Sequence, residues 1–232
     1  MIGIISDIHG NYAALEAVSA ELEQLGISRI ICLGDVAGYY CQINECCAFL
    51  QARKIVTLMG NHDRNIVNGE RCPRSNSANR CLEYQRSILK AEHREWLASL
   101  ELQTRIEELA LVHGGWVDPL DEYVRPSAEY FRPLAGSFFA SGHTHVPCVW
   151  KSGQKTYCNP GAVGQPRDGD NRASFAVFDH NVFTLHRIAY DIQRTQREMR
   201  AAGFEPYFYE NLSGGTRIGG MIDKGPQADQ TD

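Results

Sequence analysis

The chain has no apolar run long enough to span a membrane, no basic leader, no Cys-x-x-Cys pair and no internal repeat. Each absence removes a class of protein. A spanning helix needs about 20 apolar residues, and a secretory leader needs a charged start. Here Met1 runs straight into Ile2-Gly3-Ile4-Ile5, so no membrane association and a cytoplasmic location are the expectation. Basic residues are also in short supply. With 23 Lys and Arg against 28 Asp and Glu the net charge is -5, which argues against general nucleic-acid binding. A small phosphorylated substrate stays open, because metal ions can supply local positive charge. The eight cysteines have neither zinc-knuckle nor simple disulfide spacing; several stand where a small apolar residue would, as in Ile30-Ile31-Cys32-Leu33, and read as free buried thiols.

The 232 residues, 43% hydrophobic, fit one large domain with a sizeable core. Ile2–Ser6, Ile30–Leu33 and Lys54–Met59 read as strands. Between them lie two helices, one capped by Asn11 with Leu15, Val18, Leu22 and Leu25 on one face, the other capped by Asn44 and reaching about Arg53. Strand, helix, strand, helix, strand predicts right-handed crossovers and a parallel sheet. A helical stretch over about 76–100 follows, then strands at Leu102–Ile106, Leu109–Val112 and Phe138–Ser141. Four short antiparallel strands come next, from Cys148 to Arg187, and a charged helix from Asp191 to about Ala202. The expected domain is 1–212, with a Gly-rich, polar, frayed tail from Ser213.

The expected strands end in chemistry. Asp7-x-His9, Gly34-Asp35 and Gly60-Asn61-His62-Asp63 follow the first three; His113-Gly114 and Gly142-His143-Thr144-His145 follow two later ones. In open α/β sheets the carboxyl edge is where ligands bind. Singly each motif is bland: Gly-Asn-His-Asp is a good turn into a helix, Asp7 a turn cap, Gly34-Asp35 a loop. Together two carboxylates, one Asn and four His form a mixed oxygen and nitrogen ligand set. Magnesium would call for mostly oxygen, so zinc, manganese, iron, nickel or cobalt fit better. Seven ligands are too many for one ion with an open position. Two ions sharing a carboxylate, about 3.5–4 Å apart, can clamp a phosphoryl group and make hydroxide at neutral pH.

These five blocks, in order, resemble the calcineurin-like metallophosphoesterase superfamily, and in particular its compact bacterial and archaeal phosphodiesterase-like members. The likeness extends to Gly34–Tyr39, Asp118–Tyr123 and the Asn159–Arg167 loop. It implies an α/β fold with a two-sheet sandwich flanked by helices. It also implies one metal on Asp7, His9 and His145, a second on Asn61, His113 and His143, and Asp35 bridging them, manganese being the favoured ion. His62 would face the phosphoryl or leaving-group oxygen as stabiliser or general acid. Tyr39, Trp116 and Arg167 sit in loops implied to border the substrate; Trp116 reads first as a packed wall, and Arg167 serves either its own loop or a phosphate oxygen. His93, His180 and His186 read as surface or hairpin residues, and Arg64 as a surface charge. The chain departs from its relatives at Tyr40-Cys41 and Gly115-Trp116, both in substrate-side loops.

The implied activity is hydrolysis of small phosphodiesters, with homo-oligomers left open. The rivals are a phosphomonoesterase, including a protein Ser/Thr phosphatase, and an interaction scaffold like the retromer subunit. Protein phosphatases place Asp-Arg-Gly after Gly-Asp, where this chain has Val36-Ala37-Gly38. The scaffold lacks a complete catalytic block, whereas His62 and all seven ligand residues are present here.

Overall fold

The computed structural model describes residues 1–225. Strands β1 (Ile2–Ile5), β2 (Ile30–Cys32) and β3 (Val56–Thr57) run parallel, joined by α1 (Tyr12–Gln24) and α2 (Ile43–Ala52). Asn11 accepts from the Ala14 N–H and caps α1; Gly26, at φ +72°, ends it. After α3 (Asn61–Asn68), α4 (Asn76–Ile88) and α5 (Ala91–Ala98), a second sheet is built from β4 (Gln103–Ile106), β5 (Leu109–Val112), β6 (Phe138–Ser141), β7 (Cys148–Ser152) and β8 (Lys155–Asn159), with the short α6 (Ala128–Phe131) outside it. The hairpin of β9 (Ala173–Asp179) and β10 (Val182–Ile188) then returns to the first sheet, antiparallel to β1, and α7 (Ile192–Ala201) packs against α1.

The strand orders are β10-β9-β1-β2-β3 and β4-β5-β6-β8-β7. Residue alternation explains the layers. Ile4, Ile31 and Leu33 meet Leu109, Leu111, Ala140 and Cys158 between the sheets, while Ile5 and Cys32 pack on Leu15, Val18 and Leu22. This is the expected sandwich flanked by helices. β5, β6 and β8 are mutually parallel, so the ends of β1, β2, β5 and β6 all deliver loops to one rim.

Several expected boundaries move. β3 is two residues long, because the Met59 N–H donates to the Glu101 carbonyl across the sandwich instead of continuing a ladder. Asn44 is not the α2 cap; Gln42 holds that position. The Asn44 amide donates to the Ile88 carbonyl (2.8 Å) and its oxygen accepts from the Lys90 N–H (3.0 Å), so it satisfies the break that turns the single expected helix over 76–100 into two. His93 is buried, 2.8 Å from the Gln51 side chain, whereas His180 is exposed in its hairpin and His186 lies flat on Phe175. The stretch from Ser213 does not lie free: 213–225 runs back across the rim, with Gly169 N–H bonded to the Gly215 carbonyl and Asp223 N–H to that of Arg167. The rest of the expected tail, 226–232, is outside the described residues.

All eight cysteines are unpaired; seven are buried and Cys148 is partly so. Burial pushes the Cys81 thiol up to about 12 and that of Cys148 to about 11. The folded protein should therefore react slowly with Ellman's reagent, Cys148 first, and all eight thiols should titrate at once in guanidinium chloride. Fast native reaction of several thiols would contradict this burial.

Candidate metal centre

Five of the clustered residues sit in a backbone region that side chains disfavour. Asp7, His9, Asp35, His143 and His145 have φ between 52° and 66°, so each turns sharply off its strand toward the rim. Backbone bonds hold these turns. Asp7 N–H donates to the Gly34 carbonyl, His9 N–H to Asp35, Gly142 N–H to His113, and Gly164 N–H to Asp7. Glycines allow the approach: a Cβ on Gly142 would lie 2.0 Å from Ser6 Oγ and 2.7 Å from Asp7 Oδ2, and one on Gly60 2.1 Å from Asp35 Oδ1. The helix-entry reading of Gly60-Asn61-His62-Asp63 is also correct. Asp63 is the third residue of α3 and accepts from the Gly60 and Ala37 N–H groups, which locks this block against the Gly34 loop.

Two groups of ligand-type side chains result: Asp7, His9 and His145, and Asp35, His113 and His143, each with its ligand atoms within 4.8 Å of one another. Asn61 Oδ1 lies 3.3 Å from His113 Nε2 and joins the second group. Asp35 Oδ2 stands between the groups, 3.7 Å from His9 Nε2 and 3.5 Å from His113 Nε2. The imidazoles are oriented from behind. His9 Nδ1 bonds the Ala37 carbonyl (2.8 Å), His145 Nδ1 that of Gln165 (2.7 Å) and His113 Nδ1 that of Leu33 (3.1 Å). Each such bond places a proton on Nδ1 and turns Nε2 toward the rim. His143 differs: Arg74 Nη1 donates to its Nε2 (3.1 Å) and the Tyr123 ring stacks on it at 4.4 Å.

The donor set fits divalent cations. Asp7 Oδ1 and Asp35 Oδ2 are buried with no hydrogen-bond partner, while the other oxygens accept from the His143 and His62 N–H groups. Burial pushes Asp7 up to about 7, against the pull of His113. Asp35 is also buried, yet His113 and His62 hold its carboxyl well below the usual range. Burial alone would lower His113, but the Asp35 carboxylate outweighs it and raises the imidazole to about 9. Burial keeps His9 and His145 neutral, as ligands must be.

Residues 1–182 match the calcineurin-like phosphoesterase superfamily domain. The chain belongs to that superfamily. The fold of this calcineurin-like phosphoesterase is similar to that of a metallophosphoesterase from Sphaerobacter thermophilus, with a TM-score of 0.82 and 33% identity over 93% of this chain and 98% of that one. A hypothetical protein from Pyrococcus horikoshii shares the fold at a TM-score of 0.84, with 18% identity over 93% and 99% of the two chains. An uncharacterised protein of Methanocaldococcus jannaschii is 30% identical over 227 residues, covering 86% of this chain and 91% of the relative.

The rim opens into a cavity of about 220 Å³ lined by residues that include Tyr39, His62, Arg74, Arg167, Arg217 and Met221. Tyr39 packs edge-on to His9 at 4.8 Å. Arg167 is buried and bonded by Gln165 Oε1 (2.7 and 3.0 Å), with its guanidinium 5.4 Å from the Tyr39 ring. Trp116 is not in this lining. It packs edge-on to Phe131, Phe139 and Tyr157 on the outer side of the second sheet, which corrects its reading as a substrate contact. Arg64 reaches Asp121 and Glu70. The sequence reading missed Arg74 and Arg217. Arg74 is fixed by Asp121 through its side chain (3.1 Å) and carbonyl (2.9 Å).

If cations complete this cluster, removing them must destabilise the fold, because a ligand that binds only the folded state at 1,000 times its Kd adds about 4 kcal/mol. Melting in manganese should therefore exceed melting in EDTA by several degrees, and Asp35→Asn should shrink the gap and the metal content by elemental analysis. Equal melting of wild type in both conditions would show that no cation is held.

Proposed function

We propose that this calcineurin-like phosphoesterase is a dinuclear metal-dependent phosphodiesterase acting on small diesters. The observation that carries the reading is Asp35 Oδ2, an unsatisfied carboxylate oxygen placed between two ligand groups. Asp7, His9 and His145 would hold one divalent transition-metal ion, and Asn61, His113 and His143 the other, with Asp35 shared. Ions so held supply charge for the phosphoryl oxygens and activate water for attack. The rest is the work of the chain itself. Arg167 has no carboxylate within ion-pair distance among the described residues, so its planar guanidinium is available to a phosphate oxygen. Tyr39 walls the same cavity.

His62 is placed for proton work. Its backbone N–H donates to Asp35 Oδ1 (2.9 Å), its ring Nδ1 is buried without a partner, and its ring lines the cavity. Burial lowers its pKa. An anionic phosphoryl group entering the cavity opposes that shift and favours the protonated ring that a leaving oxygen needs. The diester reading, over the monoester, is supported by room for a second ester arm. The cavity adjoins a cleft of about 660 Å³ at Tyr123 and Arg217. A bis-aryl phosphodiester assayed beside an aryl monoester on manganese-loaded protein tests this; preference for the monoester would reverse it.

Two variants follow. His62→Ala should keep its metals and lose about 10²–10⁴-fold in turnover, more for diesters with poorer leaving groups. A deficit that ignores the leaving group would leave His62 as a stabiliser only, and loss of a metal would make it a ligand. Arg167→Ala should raise KM more than it lowers kcat, the signature of lost uniform binding. Wild-type values for both would assign Arg167 to its loop alone.

A further inference from the structure

We propose that the cleft beyond Tyr123 is a subsite for a second phosphate group, carried on one arm of the substrate; this rests on the phosphodiester reading above. The cleft is three times larger than the cavity it adjoins, at about 660 against 220 Å³. Pro126 and Val146 give it an apolar wall, and Arg125, Arg217 and Lys224 supply three cations. Its lining contains one acid, Asp223, which is bound to Arg217 Nε at 2.7 and 2.8 Å. That pair cancels. Arg125 and Lys224 are left with no carboxylate within ion-pair distance among the described residues.

A single solvated lysine or arginine is commonplace and needs no ligand. Two cations on one concave wall, neither paired among the described residues, in a chain whose net charge is -5, are a different arrangement. They come from distant segments: Arg125 follows the Asp118–Tyr123 loop, and Lys224 lies on the C-terminal stretch tied to the Arg167 carbonyl through Asp223 N–H (2.7 Å). Both segments also line the candidate metal centre, through Tyr123 and through Arg217 and Met221. The Tyr123 ring is itself fixed, stacked on His143 and 5.1 Å from the Arg74 guanidinium. An arm passing Tyr123 therefore meets positive charge that no carboxylate among the described residues neutralises. A cationic arm would be repelled, and an apolar one, though it could pack on Val124, Pro126 and Val146, would leave both cations unused. A phosphate would make charge-assisted hydrogen bonds to both cations.

The test compares two chromogenic diesters that differ by one group: thymidine 5′-(p-nitrophenyl phosphate) and the same ester bearing a 3′-phosphate. Manganese-loaded wild type should prefer the 3′-phosphorylated ester by about tenfold or more in kcat/KM, the size of one charge-assisted hydrogen bond. In Arg125→Ala/Lys224→Ala that ratio should fall to about one. Both positions are exposed, so the variant's melting temperature serves as the folding check. Equal kcat/KM for the two esters on wild type, or a preference that survives in the variant, overturns the subsite. A second measurement separates this from the phosphodiester reading. Calorimetry on the same proteins should show thymidine 3′,5′-bisphosphate binding more tightly than thymidine 5′-monophosphate, with the difference lost in the variant. If neither ester is cleaved but that difference holds, the diesterase reading fails and the subsite stands; if the nucleotides bind alike, the subsite fails.

Discussion

Three backbone carbonyls, those of Leu33, Ala37 and Gln165, decide what this rim can do. Each accepts a hydrogen bond from the Nδ1–H of one imidazole and so turns its Nε2 toward a point that two buried carboxylate oxygens also face. A side-chain support could rotate away; a carbonyl belonging to a loop laced to its neighbour cannot. The ligand geometry thus becomes a property of the sheet edges. The left-handed turns at Asp7, His9, Asp35, His143 and His145 are the local cost of it.

That cost needs close support, and the surrounding residues supply it. Asp63 joins the helix entry to the Gly34 loop, and Asn159 donates to the Gly142 carbonyl at 2.6 Å, holding the segment that bears His143 and His145. Asn11, while capping α1, also donates to the Gly164 carbonyl and accepts from Thr195 Oγ1. One side chain therefore serves the α1 start, the Arg167 loop and the last helix. Such sharing leaves few ways to move a ligand without disturbing the fold.

The gathering of the seven candidate ligand residues was legible because each cluster follows an apolar run at the end of a parallel strand, which places distant segments on one edge. Strand order within the second sheet and the short β3 were not, since both depend on pairing that period-two patterns leave open. Arg74 gave no signal. It lies in a polar stretch without periodicity, and only Asp121, 47 positions away, brings it to His143. Trp116 was ambiguous for the opposite reason: an indole beside a His-Gly motif can serve chemistry or packing, and the aromatic cluster of Phe131, Phe139 and Tyr157 claimed it. The Gly-rich C-terminal stretch looked frayed by composition, whereas backbone bonds and the Arg217–Asp223 pair place residues 213–225.

That placement separates two boundaries usually taken as one. The recognisable superfamily domain stops at residue 182, yet Arg217, Ile218 and Met221 wall the cavity and Asn211 donates to the buried Tyr40 hydroxyl. The portion matched by the family domain carries the candidate ligand loops, and a later segment completes their surroundings. Sequence drift after residue 182 can therefore retune what enters the site while the inherited ligand loops stay as they are. Two relatives that share every ligand residue need not share a substrate.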